Sequence, residues 1–258
     1  MQKDNQIRLI QTATKQDYTE KMKEFTEEFL ADLDEVDGFI LKNRSPSCGI
    51  KDVKYYVNDI PSGTTAGLFA KEIKKSYPDA IIENEGRLKN FKIRENFLRN
   101  IFLLADFQKV ASSNQIKELV AFHSRNKYLF MAYNQQYLKQ LGRIVANHNQ
   151  LDFKEVISNY KKELFKLLAD SPSYKDNINV LMHLMGYFSE NLSREEKEYF
   201  LGVIKKYRAN KVPLSVPIGI INSWVIKYKN DYLAQQSFLK PYPEELVDIK
   251  DSGKGRGR

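Results

Sequence analysis

The one cysteine of this 258-residue chain, Cys48, stands in the turn Ser45-Pro-Ser-Cys-Gly49, directly after the apolar segment Gly38-Phe-Ile-Leu41. A thiol in a glycine-containing turn after a buried strand faces the crevice where α/β folds bind ligands, and backbone amides there stabilise a thiolate. The turn is therefore a candidate reactive site. The alternative is a small buried cysteine that only packs. A single cysteine excludes an intramolecular disulfide, and it cannot alone hold an iron–sulfur cluster, which needs three or four ligands.

Two acidic residues, Glu83 and Glu85, follow a second apolar segment, Ala80-Ile-Ile82, and lie beside Arg87. Residues two apart on an extended chain point to the same face, so the two carboxylates could act as an acid–base or cation-binding pair. The alternative is a solvated loop. An anion pocket in the same crevice would draw on the cationic residues near these segments, which are Lys42, Arg44, Arg87 and Arg94.

The motif Phe122-His-Ser-Arg-Asn-Lys-Tyr128 combines basic and aromatic side chains. His123 and Lys127 are four residues apart and would share one helix face, with Arg125 and Asn126 between them. Such a stripe can bind phosphates and stack bases. The alternative is a helix face whose rings belong to the core and whose basic groups are solvated. No spacing typical of a zinc site relates the three histidines, which are His123, His148 and His183.

The first hundred residues alternate between helical and extended patterns, which predicts an α/β unit. Strand, turn, helix and strand in this order form a βαβ unit. A loop is predicted at Pro61-Ser-Gly63, and Thr64 or Thr65 is expected to cap the helix that follows it. The predicted helices cover residues 15–33 and the stretch up to Pro78, and the predicted strands cover residues 38–41, 53–57 and 80–82.

Beyond about residue 93 the pattern becomes helical throughout, which predicts an all-α bundle. Ser193-Arg-Glu-Glu196 has the form of a capping box, because a serine and a glutamate three residues later can each bind a free amide at a helix start. Pro213 and Pro217 are expected to break the chain before the last helix. The predicted helices cover residues 96–110, 114–148, 153–169, 177–189 and 218–228.

The basic excess is confined to the second part of the chain. Residues 1–110 carry 18 basic and 18 acidic residues, whereas residues 111–258 carry 23 and 15. Part of this excess lies in residues 249–258, a glycine-rich stretch that we predict to be a disordered basic tail. The excess in the folded remainder permits an anionic partner without demanding one.

The composition, 42% hydrophobic and 29% charged, is that of an ordinary globular protein and not of a disordered chain. The longest strongly apolar run, residues 101–105, is far shorter than the roughly 18 residues of a membrane helix. The opening Met1-Gln-Lys-Asp-Asn5 lacks the apolar segment of a secretory signal, so a cytoplasmic location without membrane association is expected. No Walker loop, dinucleotide-binding glycine motif or nucleophile elbow is present.

Two long sets of motifs resemble known families. Residues 39–53, together with Gly67-Leu-Phe-Ala70, Glu83-Asn-Glu-Gly-Arg-Leu88 and Arg94-Glu-Asn-Phe97, are similar to the later half of the thiouracil-desulfurase-like family. A second set resembles the YbgA family, which often follows the first and has no established molecular role. Its motifs are Phe122-His-Ser-Arg-Asn-Lys-Tyr-Leu129, Leu181-Met-His-Leu-Met-Gly-Tyr-Phe188, Val212-Pro-Leu-Ser-Val-Pro217 and Tyr232-Leu-Ala-Gln-Gln236.

The first resemblance implies an α/β domain that binds a four-iron, four-sulfur cluster through three cysteines. One open iron would take sulfur from a thiolated pyrimidine, while a serine and a glutamate protonate and position the base. On this sequence the resemblance implies Cys48 as a cluster ligand and either Ser45 or Ser47 as the serine. The family's other two cysteines and its Cys-Pro-Glu glutamate lie upstream of the segment that resembles Arg8-Leu-Ile-Gln11. We therefore expect a truncated domain.

The expected organisation is a desulfurase-like α/β domain over residues 1–105, an all-helical YbgA-like domain over residues 106–248, and the tail. The intact family form would remove sulfur from a thiolated nucleobase, free or in tRNA. No cluster is expected in this chain alone, which leaves three explanations: a downstream start or gene split, a complementing N-terminal fragment or homo-oligomer, or a degenerate domain retained as a scaffold. The alternative is a non-enzymatic helical module that binds nucleic acid or a partner protein. A third possibility is a purely structural helical domain that organises a dimer.

Overall fold

A computed structural model describes residues 7–34, 36–147 and 149–246 of the chain. These residues divide into two units, of which unit 1 ends at Ile101 and unit 2 begins at Phe102. The α/β class predicted for the first part and the helical class predicted for the second are both confirmed. The predictions for His148 and for the tail, residues 249–258, lie outside the described residues.

Unit 1 is built around a parallel pair of short strands, β1 and β4, in which Leu41 lies opposite Asn84. Helix α2 precedes β4 and supplies the crossover of the predicted βαβ unit. Leu41 packs with Ala70 and Ile73 of this helix, and this trio forms the core of unit 1. The elements of unit 1 are α1 (Thr19–Ala31), β1 (Gly38–Leu41), β2 (Val53–Val57), β3 (Ile60–Thr65), α2 (Leu68–Ser76) and β4 (Ile81–Asn84).

An antiparallel hairpin of β2 and β3 is inserted between β1 and α2. Its turn is Asn58-Asp59, and both residues have positive φ angles, 51° and 63°, as a two-residue hairpin of type I′ requires. The prediction of a loop at Pro61-Ser-Gly63 is therefore wrong, because these residues form part of β3. The predicted helix caps Thr64 and Thr65 are wrong for the same reason.

Helix α3 (Phe91–Ser112) begins in unit 1 and ends in unit 2. The prediction of one long helix over residues 114–148 is wrong, because the chain breaks at Asn126 and again at Asn134. The Asn134 side chain accepts hydrogen bonds from the amides of the following turn and so starts a new helix. Unit 2 also contains α4 (Ile116–Arg125), α5 (Lys127–Tyr133), α6 (Gln135–Ala146), α7 (Phe153–Leu168), α8 (Tyr174–Gly186), α9 (Arg194–Arg208), α10 (Ser215–Lys227) and α11 (Asp231–Ala234).

Aromatic rings fill the core of unit 2. Phe107 contacts both Phe122 and Tyr160, and Trp224 contacts both Phe188 and Phe200. These contacts join elements from different parts of unit 2, and the burial of such large rings stabilises the bundle. No helix in the described part of the chain is both long and apolar enough to cross a membrane.

The helix ends of unit 2 test two further predictions. The capping box at Ser193 and Glu196 is confirmed, since each side chain accepts a hydrogen bond from the other residue's backbone amide. The expected break between Pro213 and Pro217 is wrong at its second boundary, because α10 begins at Ser215. Pro217 lies in the first turn of that helix, where its missing amide hydrogen has no helical acceptor to lose.

Candidate ligand-binding site

The loop after β1 brings three candidate side chains together. The hydroxyl oxygens of Ser45 and Ser47 are 3.0 Å apart, and the amide of Cys48 donates to the Ser45 hydroxyl at 3.4 Å. The Gly49 amide donates to the Ser45 carbonyl at 2.8 Å, which closes the turn. All three side chains are half-buried, so the loop presents two hydroxyls and a thiol at the end of β1.

Backbone hydrogen bonds fix this loop against the start of α2. The Phe69 amide donates to the Ser47 carbonyl at 2.9 Å, and the Gly67 amide donates to the Gly49 carbonyl at 2.8 Å. The approach is so close that a Cβ atom at Gly67 would lie 2.1 Å from the Ser47 carbonyl oxygen. Only glycine fits there, so Gly67 sets the position of the loop.

The environment of Cys48 combines features of both interpretations of this residue. Its thiol is free and half-buried, and it packs against the core trio of Leu41, Ala70 and Ile73. Packing of this kind is typical of a structural cysteine, whereas partial exposure at the carboxyl end of a strand leaves a route for a ligand.

The end of β4 is joined to the loop after β1. Glu85 accepts a hydrogen bond from the Asn43 amide through Oε2 at 2.7 Å, and its own amide donates to the Leu41 carbonyl at 3.2 Å. Because β1 and β4 run parallel, both segments leave the sheet at the same edge. The structure thus brings Glu85 and the loop containing Ser45 together, although they are about 40 residues apart in the sequence.

Glu83 and Glu85 have different partners. Glu83 Oε1 accepts from Arg87 Nε at 2.8 Å and from the Asn84 amide at 2.9 Å. The Asn84 side chain, which is buried, accepts in turn from the Arg87 amide at 2.8 Å. Glu83 therefore fixes Arg87, whereas Glu85 holds the loop after β1.

The candidate anion-binding arginines differ in their contacts. Arg44 is exposed and has a positive φ angle of 55°, which is uncommon for a residue with a side chain. It stands three residues beyond Leu41, and Arg87 stands three residues beyond Asn84, the partner of Leu41 in the sheet. Both cations therefore lie at the same edge. Arg94 instead donates to the Leu88 carbonyl at 3.1 Å and lies over the Phe91 ring.

The donor set does not fit the iron–sulfur cluster that the family resemblance implies. Such a cluster needs three or four protein ligands, and the sequence contains one cysteine. Within residues 7–34, 36–147 and 149–246, no group of three or more histidine, cysteine or acidic side chains could hold a metal ion. Cys48 could supply one thiolate to a shared site and no more.

The basic motif of unit 2 is engaged in packing. His123 Nδ1 lies 3.1 Å from the buried Tyr160 hydroxyl, and burial, with the nearby Lys127 charge, lowers the pKa of His123 to about 4. Arg125 donates to one carboxylate oxygen of Asp106 at 2.7 and 3.0 Å. Asn126 is buried and donates to the Phe122 carbonyl at 2.9 Å.

The remaining members of the motif continue this pattern. Lys127 Nζ lies 5.6 Å from the centre of the Tyr128 ring. The Tyr128 hydroxyl donates to the Tyr187 hydroxyl at 2.8 Å, and burial raises the pKa of Tyr128 well above its ordinary value. The contact partners Asp106, Tyr160 and Tyr187 carry no local sequence signal, because they lie between 19 and 59 residues away from the side chains that they bind.

Comparisons with known proteins match the first and the later part of the chain to different families. Residues 1–85 match the model of 2-thiouracil desulfurase, and residues 127–243 match a protein family of unknown function (DUF1722). The uncharacterized protein YbgA of Escherichia coli (strain K12) is 27% identical over 161 residues, which is 62% of this chain and 95% of YbgA. No solved structure matches the chain at a significant level. These findings support a fusion of a 2-thiouracil desulfurase-like domain with a YbgA-like domain of unknown function.

Proposed function

We propose that unit 1 forms part of a desulfurase site that binds a thiolated pyrimidine, such as thiouracil, as a free base or in tRNA. The hydrogen bond from the Asn43 amide to Glu85 Oε2 carries this proposal, because it holds the Ser45 loop against the end of β4. The match of residues 1–85 to 2-thiouracil desulfurase supports the substrate class. The protein's function is thus base recognition at the carboxyl edge of a parallel sheet.

The groups at this edge suit a pyrimidine. Its ring presents carbonyl or thiocarbonyl acceptors beside N–H donors. The paired hydroxyls of Ser45 and Ser47 use one hydrogen between them, so the second hydroxyl hydrogen is available to a ligand acceptor. Glu85 Oε1 has no hydrogen-bond partner among the described residues and can accept from a ring N–H. Arg44 and Arg87 would bind an anionic substituent such as a phosphate.

Sulfur removal requires more than this chain contains. The intact family form uses a four-iron, four-sulfur cluster, and this sequence contributes Cys48 as its single cysteine. Catalysis through such a cluster needs thiolates besides Cys48, which in this proposal come from a complementing fragment or another copy. Within this chain, the residues at the edge bind and orient the base: a hydroxyl of the Ser45–Ser47 pair donates to it, and the Glu85 carboxylate accepts from a ring N–H.

Ligand binding tests the recognition step without a cluster. Calorimetric titration of the full chain should show binding of 2-thiouracil that is tighter than binding of uracil. Ser45→Ala should weaken it about five- to tenfold, the effect of one lost hydrogen bond. The matched control is Ser62→Ala, since Ser62 is an exposed serine of β3 whose hydroxyl bonds only to the Ile60 carbonyl. Equal binding by all three proteins, or no preference for the thiolated base, would contradict the proposal.

Iron content tests the dependence on a second chain. Iron and acid-labile sulfide should be measured per chain after anaerobic reconstitution, on the wild type and on Cys48→Ala. The isolated monomer is expected to hold no stoichiometric cluster, since a complete one needs three or four protein ligands. About four irons per monomer, lost in Cys48→Ala, would show that the chain alone supplies a complete site.

A second candidate function, binding of nucleic acid by unit 2, is favoured by a basic surface at the end of α9. Asn177 Nδ2 donates to the Tyr207 hydroxyl at 3.1 Å and places the start of α8 beside this end. Phosphate backbones bind such clusters of cations. The surface consists of five exposed basic residues, Lys175, Lys205, Lys206, Arg208 and Lys211, beside the exposed Tyr174.

Salt dependence separates this function from a purely structural one. Affinity for a mixed tRNA sample should fall by about two to three orders of magnitude between 50 and 200 mM salt, as expected if each of the five cations contacts one phosphate. The double variant Lys205→Ala, Lys206→Ala should lower the slope of log affinity against log salt by about 2. Lys139→Ala, on the exposed side of α6, serves as the control. A slope that the double variant leaves unchanged would reject this surface.

A further inference from the structure

Residues 236–239, which we call the latch, cover the break between α4 and α5. Gln236 Nε2 donates to the Ser124 carbonyl at 3.0 Å, and the Ser237 amide donates to the Arg125 carbonyl at 3.0 Å. The Ser237 hydroxyl donates to Asn126 Oδ1 at 2.6 Å. The latch therefore binds a helix end more than 100 residues away in sequence.

These bonds satisfy groups that a helix end leaves unpaired. The last carbonyls of an α-helix have no intrahelical donor and need other partners when they are buried. In α4 the carbonyls of Ser124 and Arg125 accept hydrogen bonds from the latch. Asn126 accepts one from the latch through Oδ1 and donates another through Nδ2 to the Phe122 carbonyl. The geometry of the α4–α5 break thus depends on a segment outside both helices.

One buried polar atom of the closed latch makes no hydrogen bond with the described residues. Gln236 is 1% exposed, yet its Oε1 has no hydrogen-bond partner among the described residues. A buried acceptor without a donor loses its hydration and gains nothing in return, and an open latch restores that hydration. Opening of the latch is opposed by the burial of Phe238 and Leu239, which are 4% and 5% exposed. The cost of the unpaired oxygen and the gain from apolar burial act against each other, which favours an opening equilibrium that is local to the segment.

We infer that the latch opens without unfolding the rest of unit 2 and that it controls the angle between α4 and α5. Closed, it fixes Arg125 and Lys127 on either side of a rigid break. Open, it exposes Phe238 and Leu239, frees the end carbonyls of α4 and lets the two basic residues change their separation. The inference concerns unit 2 alone and does not depend on the proposed function of unit 1.

Hydrogen exchange of backbone amides on the full chain tests the opening. In the wild type, the Ser237 amide should exchange at least about tenfold faster than buried amides of α8, which exchange by larger openings. Ser237→Ala removes the bond to Asn126 and should speed exchange in residues 236–239 and 126–128 by about five- to tenfold. The same bond is broken when all of unit 2 unfolds, so exchange in α8 should speed by a similar factor. The exchange rate should depend weakly on denaturant concentration in the latch and strongly in α8, because the latch opening exposes little surface.

The control is Ser223→Ala, a serine of α10 whose hydroxyl bonds to the Ile220 carbonyl in its own helix. This variant should leave exchange in the latch unchanged. A second readout is the rate of chymotrypsin cleavage after Phe238, which should rise in Ser237→Ala in step with the exchange rate. The inference is overturned if latch amides exchange only together with those of α8, with the same rate and the same dependence on denaturant concentration.

Discussion

The two candidate motifs are held in place by opposite means. In unit 1 the loop is held through its backbone, since the amides of Gly67 and Phe69 bind its carbonyls and its Asn43 amide binds Glu85. Its two serine hydroxyls are half-buried and contact each other. In unit 2 the motif's own side chains do the holding, because His123 and Arg125 contact Tyr160 and Asp106. A motif fixed through its backbone keeps its side chains for a ligand, whereas a motif fixed through its side chains has few left to offer.

Substitution of Gly67 should have the largest effect on this comparison. Gly67→Ala places a Cβ atom 2.1 Å from the Ser47 carbonyl oxygen and 2.7 Å from the Cys48 amide nitrogen, so the loop must move. We expect a loss of about 3 kcal/mol or more in unit 1, because backbone atoms cannot yield as side chains do. Hydrogen exchange of backbone amides, followed separately in unit 1 and unit 2, measures this loss of stability. The control Gly202→Ala in α9 meets nothing within 4 Å and should stabilise unit 2 by about 0.5–1 kcal/mol.

The pH dependence of unit 2 should be the next largest effect. The pKa of His123 is about 4 in the folded chain against 6.5 when it is unperturbed. The unfolded chain therefore binds a proton that the folded chain refuses. This contribution to stability is full above pH 6.5, falls as the pH drops toward 4, and amounts to about 3 kcal/mol in total.

Denaturation of unit 2 between pH 7 and pH 4 measures the slope of the free energy of unfolding against pH. His123→Gln should reduce it, because the titrating group is gone. His183→Gln should keep it, since the exposed His183 lies on the surface of α8. An unchanged slope in His123→Gln would assign the acid sensitivity to other residues. It would also contradict the view that His123 is held by packing in unit 2.

A smaller effect is expected at the bridge between the two loops of unit 1. Glu85→Ala removes the acceptor of the Asn43 amide and should cost about 1 kcal/mol, the worth of one hydrogen bond at an exposed residue. Glu85→Gln keeps an oxygen at the same place and should recover most of this loss. Thermal denaturation of Glu85→Ala and Glu85→Gln compares the stability that each variant loses. A loss of stability in Glu85→Gln equal to that in Glu85→Ala would mean that the charge matters more than the bond.

The smallest effect is expected at the ion pair of unit 2. Arg125→Lys replaces two donors to Asp106 with one ammonium group, and both side chains are about one-third exposed. We expect a loss below about 1 kcal/mol. Arg194→Lys, in the far more exposed pair with Glu198, should change stability by less than about 0.3 kcal/mol. If Arg125→Lys weakens RNA binding strongly at unchanged stability, this arginine belongs with the ligand-binding groups and the comparison between units fails for it.

Much of the fold follows from local patterns in the sequence. The strand after residue 37, the helix over residues 153–168 and the capping box at Ser193 depend on neighbours within a few residues, and all three are found. The errors occur where a local signal has two outcomes. Thr64 and Thr65 suit both a helix cap and a strand, and pairing of β3 with β2 selects the strand. The apolar spacing over residues 114–148 continues through Asn126 and Asn134, although the helix axis does not.

Sequence by itself determined the two fold classes, the basic character of the second part, the single cysteine and the loop that carries it, because these depend on composition and short-range order. Tertiary structure alone decided that Glu85 meets the Ser45 loop, that Gly67 must lack a side chain, and that Arg125 faces Asp106. Each of these contacts joins residues distant in sequence, and only the packing of the elements brings them within hydrogen-bonding distance.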